Sequence, residues 1–146
     1  MNALPAHAVD VRTADLRDVH ACADIDAFVR ARPDATPFHL PAWSRAVEQG
    51  CRQRAHYLVA RGEGARILGV LPLTEVRSLL FGRALVSAAF AVGGGILAVG
   101  RAAPARLAEA ALALARQRGP VAGAGVQHAL DAVRCEHAPQ LLCRHA

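Results

Sequence analysis

Residues 68–99, LGVLPLTEVRSLLFGRALVSAAFAVGGGILAV, decide the fold. The stretch continues an apolar run that begins at Ile67 and has the β-branched and leucine content of a buried strand. A polar interval around Arg77 follows, and a second apolar segment then ends on three glycines at 93–95. The pattern predicts two strands, and the glycines mark a bend or a place where another group approaches the backbone closely.

Three other segments have the patterns of amphipathic helices: residues 13–32, 41–50 and 104–118. In the first, Thr13 is placed to cap the amino terminus and Pro33 to end the helix. Proline opens and glycine ends each of the other two. Ile25 is predicted to lie off the buried face of the first helix, which carries Leu16, Val19, Ala23, Ala27 and Phe28.

Four segments have strand patterns: residues 9–12, 56–61, 65–74 and 84–92. The Gly62-Glu63-Gly64 segment between the second and the third predicts a β-hairpin turn. In chain order the elements are strand, helix, helix, hairpin, strand and helix. This order predicts an α/β (α+β) domain in which a central, mostly antiparallel sheet is flanked by helices.

The composition favours a folded domain with an aliphatic core, since 53% of the 146 residues are hydrophobic and only 4% are aromatic. All 17 basic residues are arginine, and the formal net charge is +5. The arginines are scattered from Arg12 to Arg144, and no aromatic residues are interleaved with them as a platform for stacking bases requires. We therefore expect no direct sequence-specific nucleic-acid binding.

Residues 84–100 are uncharged, but they fall short of the about 20 residues that a membrane-spanning helix needs. They also contain Ser87 and the three glycines, which suit a strand and a bend, so we expect no membrane span. The amino terminus lacks the basic segment and apolar run of a secretion signal. The four cysteines are therefore expected to be reduced thiols, and the protein to be cytoplasmic.

Two regions carry candidate substrate-binding residues. Gly93, Gly94 and Gly95 either let a ligand approach the backbone or accommodate a tight crossing in the sheet. The lysine that follows the last glycine of a Walker-type phosphate loop is missing here. His39 lies between two prolines in a loop that also leads to Trp43. It either contacts substrate, together with Trp43, or forms hydrogen bonds that fasten the loop.

Arg77 and Ser78 are further binding candidates because they follow a buried strand. An arginine at this position can hold a phosphate or carboxylate through two hydrogen bonds, or pair with Glu75 or another acid. The sequence has no G-x-S-x-G elbow, so no catalytic residue is assigned. The cysteines and histidines of residues 120–146 do not have zinc-site spacing, so we expect no metal.

Four motifs, taken in order, resemble one family: residues 36–47 (TPFHLPAWSRAV), 56–61 (HYLVAR), 68–87 (LGVLPLTEVRSLLFGRALVS) and 90–98 (FAVGGGILA). Together they resemble the N-terminal half of the FemAB-like acyltransferases that are associated with PEP-CTERM/exosortase systems and have the GNAT fold. The resemblance covers residues 9–118.

The resemblance implies transfer of an acyl or aminoacyl group to an amine acceptor, in cell-envelope or exopolysaccharide metabolism. The donor would be an acyl-CoA or an aminoacyl-tRNA, and a general base usually removes the proton of the attacking amine. The matched motifs belong to the half that shapes the pocket, so no catalytic residue is carried over. Residues 116–121 depart from the pyrophosphate-loop pattern at its last position, so acetyl-CoA itself is not implied.

Members of this family are roughly twice as long as this chain, a size typical of about two domains. We therefore expect residues 1–119 to form a GNAT-like half domain with an incomplete sheet, in a truncated or frame-shifted fragment. Residues 120–146 are expected to be an irregular tail, disordered or read out of frame. The alternative is a non-catalytic binding module that pairs the exposed edge of the same half-sheet with a partner chain.

Overall fold

The computed structural model describes residues 9–79, 82–87 and 94–118, and every structural statement below concerns these residues. They form strands β1 (Asp10–Thr13), β2 (Arg54–Arg61), β3 (Ile67–Ser78), β4 (Gly82–Ser87) and β5 (Leu97–Ala98). They also form helices α1 (Val19–Arg30), α2 (Pro41–Cys51) and α3 (Ala102–Gln117). Short 3-10 turns lie at Pro37–His39 and Glu63–Ala65.

The strands form one sheet in the order β1-β2-β3-β4, and each pair in its described part is antiparallel. β5 pairs with the other end of β3, at Gly69 and Val70. The helices pack against this sheet. The predicted α/β class, with a mostly antiparallel and open sheet, is therefore confirmed, whereas its GNAT-like character stays a prediction.

The β2–β3 hairpin lies where the sequence predicts it, but β3 is longer than the predicted strand. It continues to Ser78 because its second half, from Leu73 onward, pairs with β4 as well as with β2. β4 begins at Gly82 rather than at residue 84. The remainder of that predicted strand, residues 88–92, lies outside the described part of the chain.

Helix α1 begins later than predicted. Thr13, the predicted N-cap, is the last residue of β1 and pairs with Leu58. The N-cap is instead Asp18, whose carboxylate accepts hydrogen bonds from the backbone N–H groups of His20 and Ala21 at 2.9 and 3.2 Å. Asp18 satisfies two of the amide groups that the first turn leaves without helical partners, and this fixes the start of the helix.

The predicted buried face of α1 is confirmed for Leu16 and Phe28, which pack against the core on this side of the sheet, and is wrong for its other members and for Ile25. Ile25 and Val29, one helical turn apart, are the buried residues of this helix, whereas Val19 is 77% exposed and Ala23 and Ala27 are exposed. Residues four apart lie on the same side of a helix, so Ile25 and Val29 form a single apolar stripe. These two large side chains remove more apolar surface from water than alanines do, and they decide which face turns inward.

Alternating side chains of β2 and β3 divide the core into two clusters on opposite faces of the sheet. The face covered by α3 buries Val9, Leu58, Ala60, Leu71, Leu73, Leu85, Ala103, Leu107, Ala111 and Ala115. The face covered by α1 buries Ile25, Val29, Tyr57, Val59, Ile67, Val70 and Leu97. A register shift between Ala60 and Arg61 brings Ile67 onto the second face.

Pro72 lies on β3 between the segment that pairs with β4 and the segment that pairs with β5. The hydroxyl of Ser87 donates to the Pro72 carbonyl at 3.2 Å, so this carbonyl faces the β4 side. The nitrogen of the same residue faces that side too, and in proline it carries no hydrogen. β4 ends at Ser87 opposite Leu73, and β5 begins at Leu97 opposite Val70.

Candidate functional site

A buried polar group lies on the α3 face of the sheet, where β2 begins and β3 ends. His56 and Glu75 come from neighbouring strands, and their side chains are 6% and 3% exposed. His56 Nε2 lies 3.3 Å from Glu75 Oε2. The second carboxylate oxygen, Oε1, accepts hydrogen bonds from Arg77, whose Nε and Nη2 lie at 3.1 and 3.0 Å. The carboxylate thus links a buried imidazole to a guanidinium that is 55% exposed.

Electrostatics favour a neutral imidazole beside an ionised carboxylate. Burial lowers the pKa of His56 below its ordinary value of 6.5; the hydrogen bond to Glu75 opposes this shift, and the charge of Arg118 adds to it. Burial alone would raise the pKa of Glu75, but the hydrogen bonds from His56 and Arg77 outweigh it and lower the pKa. At neutral pH the pair therefore consists of uncharged His56 and negatively charged Glu75.

The ionisation of Glu75 determines which nitrogen of His56 carries the proton. A carboxylate can only accept hydrogen bonds, so His56 must donate from Nε2, the atom that faces it. Nδ1 is then the nitrogen with a free electron pair and can take up a proton. A histidine oriented by a carboxylate in this way is the arrangement of a general base.

Arginines surround this buried pair. Arg54 stands opposite Glu75 in the β2–β3 register, and Arg83 stands opposite Arg77 in the β3–β4 register. Arg83 Nη1 donates to the backbone carbonyl of Arg118, at the end of α3, at 3.2 Å. The charges of Arg118 and Arg54 both lower the pKa of His56. The region therefore has a strongly positive surface above one buried carboxylate.

The predicted residue His39 lies on the opposite face of the sheet and is 4% exposed. Its Nδ1 accepts a hydrogen bond from the Thr36 backbone N–H at 3.0 Å, and its ring also bonds to the backbone of Gly95. The Tyr57 hydroxyl donates to the His39 carbonyl. Burial lowers the pKa of the ring. These contacts match the interpretation in which hydrogen bonds of His39 fasten its loop. They also connect that loop to Gly95.

Trp43 lies beside this group on α2. Its ring meets the edge of Phe38 at a centroid distance of 4.8 Å and an interplanar angle of 70°. The Nε1 atom of Trp43 is buried and has no hydrogen-bond partner in the described part of the chain. Gly94 is exposed and Gly95 is buried, with φ of 137° at Gly95, whereas Gly93 lies outside the described residues.

The predicted binding residues therefore fall in two places. His39, Trp43 and Gly95 lie on the face that α1 covers, and Arg77 lies on the α3 face. The Arg77 side chain pairs with Glu75, which was the alternative to binding a phosphate or carboxylate. The backbone N–H of Arg77 donates a hydrogen bond to Gln53 Oε1 at 3.1 Å. Ser78 is the last residue of β3 and pairs with Gly82.

Sequence reasoning did not select His56 and Glu75 as a site. One signal was available, since Glu75 is a charged residue inside the otherwise apolar run LGVLPLTEV. A carboxylate in such a run is buried with a partner or lies at a functional site. The sequence does not reveal that partner, because His56 is 19 positions away and meets Glu75 only through strand register.

The described residues contain no group of three or more histidine, cysteine or acidic side chains that could hold a metal ion. Cys22 and Cys51 are free thiols. The cysteines and histidines of residues 120–146 lie outside the described part of the chain. Within the described ranges, no helix is both long and apolar enough to cross a bilayer.

No protein-family model, no curated protein and no solved structure matches this chain. The resemblance to FemAB-like acyltransferases therefore stays a prediction.

Proposed function

We propose that this protein transfers an acyl or aminoacyl group to an amine, with His56 as the general base. The observation that carries the proposal is the buried pair of neutral His56 and ionised Glu75, 3.3 Å apart. Acyl transfer to an amine needs a group that is unprotonated at neutral pH and can accept the proton of the attacking nitrogen. The resemblance to the FemAB-like family supports the same class of reaction.

In the proposed reaction, the amine nitrogen bonds to the carbonyl carbon of the donor and its proton passes to His56 Nδ1. The carbon–sulfur bond of a thioester, or the carbon–oxygen bond of an aminoacyl ester, then breaks. The leaving sulfur or oxygen takes up the proton that His56 received, and the ring returns to its neutral state. Glu75 stabilises the positive charge that forms on His56, and Arg77 holds the carboxylate in place, so Glu75 and Arg77 are positioning residues.

The surface around the pair supports a donor that carries phosphate groups, as acyl-CoA and aminoacyl-tRNA both do. Arg77 has a half-exposed guanidinium beside Glu75, and Arg54 and Arg83 are exposed. Guanidinium groups bind phosphate oxygens through paired hydrogen bonds. We also propose that the acceptor amine is part of a molecule of cell-envelope or exopolysaccharide metabolism, as the resemblance to the FemAB-like family implies.

The test is an acyl-transfer assay on the full chain. Acyl-CoA donors are supplied with primary amines and the release of free thiol is followed; aminoacyl-tRNA is tested by loss of the amino acid from tRNA. The His56→Gln variant is compared with His20→Gln, which changes an exposed histidine on α1. We expect the first to lower the transfer rate by about 100-fold or more and the second to leave it unchanged.

Glu75→Gln separates a positioning role from a structural one. The carboxylate raises the pKa of His56, so its removal should shift the acidic limb of the pH–rate profile to lower pH as well as lower the rate. Circular dichroism confirms that each variant is folded. Full activity in folded His56→Gln, or no turnover with any donor, would contradict the proposal.

A second candidate function is the non-catalytic partner module. The observation that favours it is β4, which pairs with β3 on one side and has no strand on its other side in the described part of the sheet. Such an edge can accept a strand from another polypeptide. This function predicts no turnover together with a defined complex of two chains, and the assay above distinguishes it from acyl transfer.

A further inference from the structure

Three exposed arginines border the end of the sheet face that carries His56 and Glu75. Side chains alternate along a strand, and residues directly opposite in an antiparallel pair share a face. Arg54 therefore lies on the face of His56, two positions away on β2, and stands opposite Glu75 on β3. Arg77 comes two positions after Glu75, and Arg83 stands opposite Arg77 on β4. Arg54, Arg77 and Arg83 form an arginine row across three neighbouring strands.

Like charges oppose each other in the arginine row. Arg77 and Arg83 are direct cross-strand partners, and two like charges in such positions destabilise a sheet. Arg77 uses Nε and Nη2 toward Glu75, which leaves the hydrogens of Nη1 for another acceptor. Arg83 donates to the uncharged carbonyl of Arg118, and neither Arg54 nor Arg83 forms an ion pair with a described residue. Repulsion that the fold does not relieve indicates a place for an anion.

A phosphate group fits the arginine row better than a carboxylate does. Guanidinium groups bind both through paired hydrogen bonds, but a carboxylate has one charge and two oxygens, which a single arginine satisfies. A phosphate monoester offers three acceptor oxygens and about two negative charges to guanidinium groups that come from three strands.

The charges around His56 make its protonation sensitive to such an anion. The neighbouring elements contribute these charged groups: Glu48 from α2, Glu75 and Arg77 from β3, Arg83 from β4 and Arg118 from α3. Burial lowers the pKa of His56, and the hydrogen bond to Glu75 opposes this shift. The charges of Arg118 and Arg54 lower the pKa further. An anion that offsets the arginines therefore favours the protonated ring.

We propose that the arginine row binds a phosphate group, and that the bound group controls how readily His56 takes up a proton. The negative charge offsets the arginines, so the ring holds a proton more strongly when the row is occupied. The coupling is reciprocal, and protonation of His56 strengthens phosphate binding by the same factor. For its consequence in catalysis the inference rests on the proposed function: a donor with phosphate groups makes His56 a stronger base when it binds.

Nitrogen NMR of the imidazole rings of the full chain, recorded over a pH series, tests this coupling. Sulfate is the probe, because it has the shape of a phosphate dianion and its charge stays constant while histidine titrates. Sodium chloride at the same ionic strength is the reference, since salt alone screens charges. We expect sulfate to raise the pKa of His56 by about 0.5 or more relative to chloride, which equals about threefold tighter binding of sulfate to the protonated ring. His39, on the opposite face of the sheet, should titrate alike in both salts.

Arg83→Gln removes one guanidinium of the row and should weaken sulfate binding, followed through the chemical shifts of His56, by about fivefold. Arg17→Gln, at an exposed position before α1, makes the same change in net charge and should leave that binding unchanged. Circular dichroism confirms that both variants are folded. If Arg83→Gln does not fold, Arg54→Gln makes the same test at another position of the row.

An equal pKa of His56 in sulfate and in chloride would overturn the inference, and so would a folded Arg83→Gln variant that binds sulfate as tightly as the unmodified chain. A shift of His39 as large as that of His56 would also overturn it, because it would reveal a general effect of the salt. Acyl transfer through His56 without a response to sulfate overturns this inference alone. The response without acyl transfer overturns the proposed reaction and leaves the arginine row as a phosphate site.

Discussion

At the scale of single residues, the most unusual feature of the chain is a polar pair, His56 and Glu75, that is buried away from water. His56 and Glu75 are buried, and the next residues on the same face of their strands, Leu58 and Leu73, belong to the apolar cluster under α3. Burying a charged carboxylate is costly unless its oxygens find hydrogen-bond partners. Here Glu75 receives hydrogen bonds from both His56 and Arg77, which compensates for its removal from water.

The pH dependence of stability should follow from these shifts. The folded-state pKa of His56 and of His39 lies below 6.5, so the unfolded chain binds more protons as pH falls through 6.5. Stability is then full above about pH 6.5, where both states are neutral at these histidines, and decreases on acidification. The lowered pKa of Glu75 adds a second loss below 4.5. Denaturant unfolding at a series of pH values measures this.

His56→Gln should make the decrease below pH 6.5 shallower without removing it, because His39 still titrates. A free energy of unfolding that rises as pH falls from 6.5 toward 5 would show that the histidines are stabilised in their charged form instead.

Gly69 allows the close approach of β5 and α3 to β3. A Cβ atom at this position would lie 2.7 Å from Ala98 Cβ and 3.0 Å from Leu107 Cδ1. Gly69→Ala should therefore lower the free energy of unfolding by about 1–3 kcal/mol through overpacking. Gly50→Ala is the matched control: it is helical, has no atom within 4 Å of the added Cβ, and should raise stability by about 0.5–1 kcal/mol. Thermal unfolding of both variants distinguishes the two effects. Crowding at position 69 lowers the stability of Gly69→Ala alone, whereas a general effect of replacing glycine would change the stability of both variants in the same direction.

The residue-level site could be predicted only in part, because sequence patterns describe local order better than contacts across a sheet. The pairing of Arg77 with Glu75 was one of two open readings, since these residues lie two positions apart on one side of a strand. The meeting of His39 with Gly95 depends on how the loop packs against the second half of the chain. The pair of His56 and Glu75 depends on strand register, which the sequence specifies only indirectly.

At the scale of elements, local signals predicted strands and helices well where turn residues bound them. Gly62 and Gly64 mark the β2–β3 hairpin, and proline opens α2. Helix α1 was predicted less well, because Thr13 and Asp18 are both acceptable caps by residue type. Because β1 pairs with β2, Thr13 is part of the sheet, and the helix begins after Asp18, which is its N-cap.

Asp18→Ala tests this N-cap. The variant loses the acceptor of two backbone N–H groups and should lower stability by about 1 kcal/mol. Asp24→Ala, at an exposed position inside the same helix, removes an equal charge but no cap, and should leave stability the same or slightly higher. Chemical denaturation compares the two. An equal effect of both substitutions would show that charge, and not capping, sets the contribution of Asp18.

At the scale of the whole molecule, one sheet separates two apolar clusters. Leu107 belongs to the cluster under α3, and Ile25 to the cluster under α1. Because the sheet lies between them, Leu107 and Ile25 pack in separate apolar clusters. The fold class was predictable from strand and helix order, whereas this division follows from the alternation of β2 and β3 and from the register shift that carries Ile67 across.

The two clusters should respond independently to substitution. Leu107→Ala should lower the free energy of unfolding by about 2–5 kcal/mol, and Ile25→Val by about 0.5–1.5 kcal/mol. The double variant should equal the sum within about 0.5 kcal/mol, as expected for distant sites. A larger coupling energy in denaturant unfolding would mean that the sheet transmits repacking from one face to the other.

The account depends most on the state of His56, because both the proposed reaction and the electrostatics require a neutral ring held by Glu75. Nitrogen NMR of the imidazole rings, recorded across a pH series, measures its pKa and its tautomer directly. The account predicts that His56 carries its proton on Nε2 at neutral pH and titrates below 6.5. A ring that titrates above 6.5, or one protonated on Nδ1 at neutral pH, would contradict it.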